Sequence, residues 1–347
     1  MPNLDWSSLG FRYRKTNAII CSRYKDGEWS RPEVCRDFDF SLNAFAGVFH
    51  YGNSCFEGLK AFRGADGKVR MFRPDENAKR LRRSATRLSM AAPSDELFLE
   101  MCAMCVKENL DFLPPYGHNA SLYIRPVLEG IDPQISIVSS SEVLFSVMCV
   151  PVGTYSAAGA LAPVDAVIAR NYDRAAPNGT GSYKIGANYA MSLYPYNLAH
   201  SQGYTELLFL DPAGKTKVDE FGSSNFIAIK DGNTFVTPLS DSVLPSITNK
   251  SLQTLAADEG LKVEKRAIPV GEIAEFDEVN ACGTAVVITP IRSITDKPSL
   301  ESGEVLRKYE IPAGDKCGEV SRRLYSAIRG IQDGTETDIH SWCVEVQ

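Results

Sequence analysis

Four segments of this 347-residue chain carry residues whose types and spacing could do chemistry. Lys184 stands in Gly181-Ser-Tyr-Lys-Ile-Gly-Ala-Asn-Tyr189, among small or apolar neighbours that leave room for a planar ring beside its amine. An amine so placed can condense with a carbonyl; the ordinary alternative is a solvated surface lysine. Val218-Asp-Glu-Phe-Gly222 sets a carboxylate between two strand signals, where it could pair with a cationic ring nitrogen or simply occupy a solvated turn. Leu244-Pro-Ser-Ile-Thr-Asn-Lys-Ser251 opens a helix, and the free amides of Ile247 and Thr248 there are of the kind that bind phosphate. Without a ligand the same pattern is a capped helix and nothing more. In Ser121-Leu-Tyr-Ile-Arg-Pro-Val127, strand alternation sends Tyr123 and Arg125 to one face. That pair could orient a carboxylate or line an exposed sheet. Arg80 could add a charge-assisted bond to a phosphate, or be an exposed helix arginine.

These side chains need elements to hold them. Gly58 to Arg63, the turn at Ala65-Asp-Gly67 and Val69 to Phe72 read as a hairpin. Pro74 and Asp75 then open a helix with Ala78, Leu81, Ala85 and Leu88 at helical spacing, and a second helix covers about 95–112. Strands are expected at 121–128, 143–150, 164–170, 206–210 and 225–229, and helices at about 186–202 and 246–261. Strands and helices mix without regular βαβ alternation, which gives an α/β (or α+β) chain. The length favours two domains. The expected bounds are 1–150 for a smaller amino-terminal domain, 151–163 for an ordered connection rich in small residues, and 164–347 for a larger carboxy-terminal domain.

Composition narrows the function classes. A hydrophobic fraction of 44% with 23% charged residues is that of a folded globular protein. The net charge of −6, from 37 basic and 43 acidic residues, offers no basic stripe to a nucleic acid. No apolar run is long enough to span a membrane. The start, MPNLDWSSLGFRYRKT, lacks the apolar core of a secretory signal, so a cytoplasmic location is expected. A trimmed targeting segment would leave the same sequence, so an organelle such as the mitochondrion stays open. The nine cysteines are odd in number and scattered, as reduced buried thiols are. Cys102 and Cys105 form a CxxC with no second pair at zinc spacing, and the four histidines are isolated, so no metal site is expected. A P-loop phosphotransferase is disfavoured, because no glycine precedes Lys184 and no Ser or Thr follows it.

Taken together and in this order, the segments resemble the branched-chain-amino-acid aminotransferases, which are class IV aminotransferases of pyridoxal-phosphate (PLP) fold type IV. The resemblance runs from about His50 to Ile294. It is carried by Tyr51-Gly-Asn-Ser-Cys-Phe-Glu-Gly-Leu-Lys-Ala-Phe62, Phe72-Arg-Pro-Asp-Glu-Asn-Ala-Lys-Arg-Leu81 with Arg83-Ser-Ala85, Leu122-Tyr-Ile-Arg-Pro126 and Lys184-Ile-Gly-Ala-Asn-Tyr189. Asp219-Glu-Phe-Gly222, Leu244-Pro-Ser-Ile-Thr248 and Gly283-Thr-Ala285 complete it.

The resemblance implies a two-domain fold with the active site between the domains, and homodimers in which the partner chain completes it. It implies that Lys184 carries PLP as a Schiff base and shuttles the proton, that Glu220 faces the pyridine nitrogen, and that Tyr189 bonds the ring oxygen. Arg80, Ile247, Thr248 and Thr284 would hold the phosphate. Ala285, Ser223 and Tyr123 would bind the substrate carboxylate, with Arg125 supporting Tyr123, and Tyr51 and Phe56 would line an apolar pocket. The implied reaction is a ping-pong exchange of an amino group between an L-branched-chain amino acid and 2-oxoglutarate. Ala187, Met191, Ser246 and Asn249 depart from the common family pattern, and Val286 and Thr289 stand where some members have a CxxC. The alternatives are another fold type IV enzyme (a D-amino-acid or R-amine aminotransferase, or a lyase), a specialised biosynthetic aminotransferase, or a non-catalytic binding module.

Overall fold

The computed structural model describes residues 4–153 and 161–346, which fall into two compact units. Among the described residues, one unit takes 4–153, 183–186 and 330–346, and the other takes 161–182 and 187–329. Most of the stretch expected to connect the domains, residues 154–160, lies outside the described residues. Two short pieces fall elsewhere than the linear expectation put them. The carboxy-terminal strand Cys343–Glu345 pairs antiparallel with Val69–Phe72, which counts the chain end with the first unit. Tyr183–Gly186 joins the same unit, and its Ile185 bridges Cys55.

The sheet of the first unit runs Cys343–Glu345, Val69–Phe72, Leu59–Arg63, Ser121–Gly130, Val143–Val152, Ile19–Lys25, Glu28–Trp29, with every neighbour antiparallel. Alternation decides which side chains reach the core. In Ser121–Gly130, Leu122, Ile124 and Leu128 are buried, while Tyr123 and Arg125 between them are only half-buried. The buried face packs with Ala78, Leu81 and Ala85 of the helix Pro74–Arg87 and with Phe98, Met101, Cys102, Cys105 and Val106 of the helix Asp95–Glu108. The CxxC is therefore core packing, and burial holds the Cys102 thiol far above the range of a reactive thiolate. The second helix stops at Glu108, short of the expected 112. Asn109 ends it by turning its amide onto the carbonyls of Cys105 (2.7 Å) and Ala18 (2.9 Å), and a 3₁₀ turn Leu110–Phe112 follows.

The sheet of the second unit is mixed and closes on itself. Its order is Val218–Phe221, Glu206–Leu210, Val164–Ala169, Val287–Asp296, Glu278–Gly283, Asn225–Lys230, then Thr234–Pro238 and Lys262–Arg266. Val218–Phe221 also pairs with Asn225–Lys230, with Glu220 opposite Asn225, so the first six strands form a ring. Ile168, Leu208, Phe221, Phe226, Phe276 and Ile291 are among the side chains of its core. The chain also forms the helices Gly186–Ser201 and Ile247–Asp258. The expected α/β (α+β) class is what these two sheets and their helices make.

Glu206 is one of several residues of charged type buried in this second unit. Its Oε2 has no partner among the described residues, and burial alone pushes its carboxyl up to about 7. The folded chain thus holds a proton that the unfolded chain releases above its ordinary value near 4.5. Between those two values the folded state binds more protons than the unfolded one, so stability falls as pH rises. Glu206→Gln, which carries no charge, is expected to match the parent protein near pH 5. Near pH 8 it should be more stable by on the order of 2 kcal/mol, as read from urea unfolding at both values.

Candidate active site

In the first unit a single helix face organises the charged residues. Asn77, Arg80 and Ser84 lie three and four residues apart on Pro74–Arg87 and are all buried. Arg80 pairs with Glu57 through both carboxylate oxygens, Nε to Oε1 at 2.7 Å and Nη2 to Oε2 at 2.8 Å. The Asn77 amide adds a 2.7 Å bond to Glu57 Oε2, and the Gly58 amide lies 3.2 Å from it. Glu57 is fully buried, so this fork-on-fork geometry is what keeps its charge compensated. It also fixes the plane and position of the Arg80 guanidinium.

One turn further on, Ser84 Oγ accepts the Lys184 backbone amide at 3.0 Å. The Lys184 carbonyl accepts the Phe56 amide at 3.1 Å. The lysine is thus held by its backbone on both sides, and its Nζ lies 4.7 Å from the centre of the Phe56 ring. The same ring takes the Arg125 guanidinium at 4.7 Å. Arg125 donates to the Tyr123 hydroxyl at 3.1 Å, as two residues on one strand face can. Its Nε is buried with no acceptor among the described residues, a donor left for an anion. Gly58 leaves room for the Tyr123 hydroxyl, since a methyl group there would overlap it unless the tyrosine shifted. Tyr51 ends the short helix Gly47–Tyr51, half exposed, with its hydroxyl donating to the Ile135 carbonyl.

In the second unit Glu220 sits at the seam where the ring of strands closes. Its carboxylate pairs with Arg174 and accepts the Asn225 amide at 2.9 Å and the Leu244 backbone amide at 3.0 Å. Burial pushes this carboxyl up to about 7, against the Arg174 charge and the two neutral donors that favour the anion. Asn225 then leads to the helix start. Its Nδ2 also donates to the Leu244 carbonyl at 3.0 Å, and its Oδ1 accepts the Asn249 amide at 3.0 Å. Asn249, one of the departures from the family pattern, donates as well to Thr237 Oγ1 at 2.8 Å. Ser246, another departure, caps Ile247–Asp258 by accepting the Asn249 backbone amide at 3.2 Å. Ile247 and Thr248 are the first two residues of that helix, where the backbone amides have no carbonyl partner within the helix.

Tyr189 lies in the first turn of Gly186–Ser201. Ser223 is exposed in the turn after Val218–Phe221, and Thr284 and Ala285 are half-buried just past Glu278–Gly283. The two turns adjoin, with a methyl on Gly283 falling 3.7 Å from Ser224 Cβ. Val287 closes the second turn at φ +66°, a conformation that β-branched residues avoid, so the surrounding fold imposes it.

The sequence-derived residues thus form two groups: Tyr51, Phe56, Arg80, Tyr123, Arg125 and Lys184 in the first unit, and Tyr189, Glu220, Ser223, Ile247, Thr248, Thr284 and Ala285 in the second. Sequence reasoning missed Glu57, Arg174 and Asn225. Glu57 stood in plain view between Phe56 and Gly58, but nothing local names its partner, which lies on the next helix. Glu57→Ala strips the counter-charge from a buried guanidinium and is expected to cost about 3–5 kcal/mol in urea unfolding, with Glu57→Gln costing less.

The family model for amino-transferase class IV matches residues 54–294. A branched-chain-amino-acid aminotransferase of Helicobacter pylori is 43% identical over 347 residues, covering 100% of this chain and 99% of that protein. One from Haemophilus influenzae is 41% identical over 353 residues, covering 100% of each. The crystal structure of the Escherichia coli branched-chain amino acid aminotransferase superposes with a TM-score of 0.78 at 28% identity, over 96% of this chain and 100% of that one. With the match spanning the segments that carry Arg80, Lys184, Glu220 and Thr248, the chain belongs to the class IV aminotransferase family, in the company of the branched-chain-amino-acid aminotransferases.

Proposed function

We propose that this chain is a PLP-dependent aminotransferase that moves an amino group between an L-branched-chain, or similar apolar, amino acid and 2-oxoglutarate in a ping-pong cycle. The observation that carries the proposal is the buried Glu220 carboxylate, braced by Arg174, Asn225 and the Leu244 amide. A dry anion with that many donors suits a cationic ring nitrogen. Arg125 Nε, the amides at the start of Ile247–Asp258 and the Arg80 guanidinium fit the anionic groups of cofactor and substrate.

PLP, when bound, supplies a conjugated cation that takes up the electron pair released as substrate Cα loses its proton. Lys184 would hold the cofactor through Nζ, and its amine would be the group that moves the proton from substrate Cα. Glu220 keeps the ring nitrogen protonated, and Tyr189 bonds the ring oxygen. Arg80, Ile247, Thr248 and Thr284 hold the phosphate. Tyr123, set by Arg125, receives the substrate carboxylate with Ser223 and the Ala285 backbone, and Tyr51 and Phe56 bound the apolar side chain. The second half of the cycle runs the same groups in reverse on the oxo acid.

The working form is a homodimer in the cytoplasm. Exposed Phe45, Phe49, Ile135, Ile137 and Val138, on segments joined by the Ala46–Pro133 bridge, give the first unit an apolar surface of the kind a second copy covers. No helix among the described residues is long and apolar enough to cross a membrane. The test is the visible absorbance of the PLP-supplied protein. L-leucine, added with no oxo acid, is expected to bleach the band of the lysine-bound cofactor and release the matching 2-oxo acid, with D-leucine inert. Lys184→Ala should slow this half-reaction by at least about 100-fold. A band bleached by D-leucine alone would move the enzyme to another fold type IV activity, and no band at all would overturn the proposal.

A further inference from the structure

Arg174 has three acceptors drawn from three parts of the second unit. It pairs with Glu220 Oε1, and its Nη2 donates to the carbonyls of Gly181 at 2.7 Å and Ser242 at 2.6 Å. The side chain is buried. Gly181 and Ser242 come close enough for this only because residue 181 has no Cβ, since a methyl there would overlap the Ser242 carbonyl. Gly181 stands three residues before Lys184, and Ser242 five before Ile247. One guanidinium therefore anchors the Glu220 carboxylate, the segment that leads to the cofactor lysine and the segment that leads to the phosphate-binding helix start.

We propose that Arg174 is a positioning residue of this enzyme, holding the Glu220 carboxylate in place and fixing the two backbone segments that run to Lys184 and to the Ile247–Asp258 helix. This rests on the function proposed above. The groups that face Glu220 give the sign of its removal. Asp219, beside it on the same strand, is a like charge that favours the protonated acid. Cys282, on the neighbouring strand Glu278–Gly283, is a thiol kept protonated by burial. Asn225 and the Leu244 amide are neutral donors. Arg174 supplies the positive charge that opposes both burial and Asp219. Without it the carboxyl keeps its proton through neutral pH and cannot hold a ring nitrogen protonated.

Arg174→Met and Arg174→Lys test this in two ways. In cofactor-free protein, infrared difference spectra against pH follow the Glu220 carboxyl, identified by its loss in a Glu220→Gln background. The midpoint is expected near 7 in the parent protein and at least about one unit higher in Arg174→Met. In PLP-loaded protein, the amino-acid half-reaction of Arg174→Met should lose about 100-fold in kcat, with KM within about threefold and the pH optimum moved upward. Lysine keeps the charge but not the planar guanidinium that sets one nitrogen against both carbonyls. Arg174→Lys should therefore titrate like the parent and lose only about tenfold in kcat. Parent-like titration and an unmoved pH profile in Arg174→Met would overturn the proposal, as would full kcat in Arg174→Lys should the methionine variant not fold. If the parent protein never takes up PLP, the function fails instead, and the infrared arm still decides what Arg174 does to Glu220.

Discussion

A carboxylate taken out of water reverts to the neutral acid unless donors replace the water it has lost. Glu220 faces that constraint with no exposure to speak of, and much of the second unit is arranged around meeting it. The ring of strands closes at Glu220 and Asn225, so the backbone pairing that completes the sheet also delivers the Asn225 amide to the carboxylate. The chain then returns through Leu244 to give a backbone amide, and Arg174 comes in from beyond Val164–Ala169 to give the charge. From Asn225 the bonding continues to Asn249 and the first turn of Ile247–Asp258. The proposed ring-nitrogen partner and the proposed anion-binding helix start are thereby parts of one hydrogen-bonded structure.

The first unit solves a parallel problem for a cation. Arg80 is buried on a helix, and Glu57 meets it from the turn before Leu59–Arg63 with a two-point pairing that also takes Asn77. Ser84, on the same face, holds the backbone of Lys184. The helix thus sets the guanidinium and the lysine by the same registry of three and four residues that packs Ala78, Leu81 and Ala85 into the core. Sheet alternation does the corresponding work for Tyr123 and Arg125, which point away from the face that Leu122 and Ile124 bury.

Local rules made the elements and the short motifs legible. Pro74 opens its helix where a proline belongs, at the first turn, and the alternation in Ser121–Gly130 gave the right partition of faces. Lys184, Glu220 and Thr248 stood in recognisable strings and needed no structure to be singled out. What no local rule reaches is a partner chosen by the fold. Arg174 bonds two backbone carbonyls and a carboxylate that are far apart in sequence, and carbonyls carry no residue identity to recognise. The carboxy-terminal strand pairs with residues more than two hundred positions earlier, so a linear division at 164–347 had no means of finding it. The early stop at Asn109 is another such case, set by a side chain reaching to Ala18.

Lys184 is proposed to hold the cofactor through its side-chain amine. Borohydride treatment of the PLP-loaded protein reduces the lysine–cofactor bond to one that survives digestion, so the labelled peptide can be sequenced by mass spectrometry. The pyridoxyl group is expected on Lys184, within Gly181-Ser-Tyr-Lys-Ile-Gly. A label on a different lysine, or no label on a protein that carries bound PLP, would contradict it.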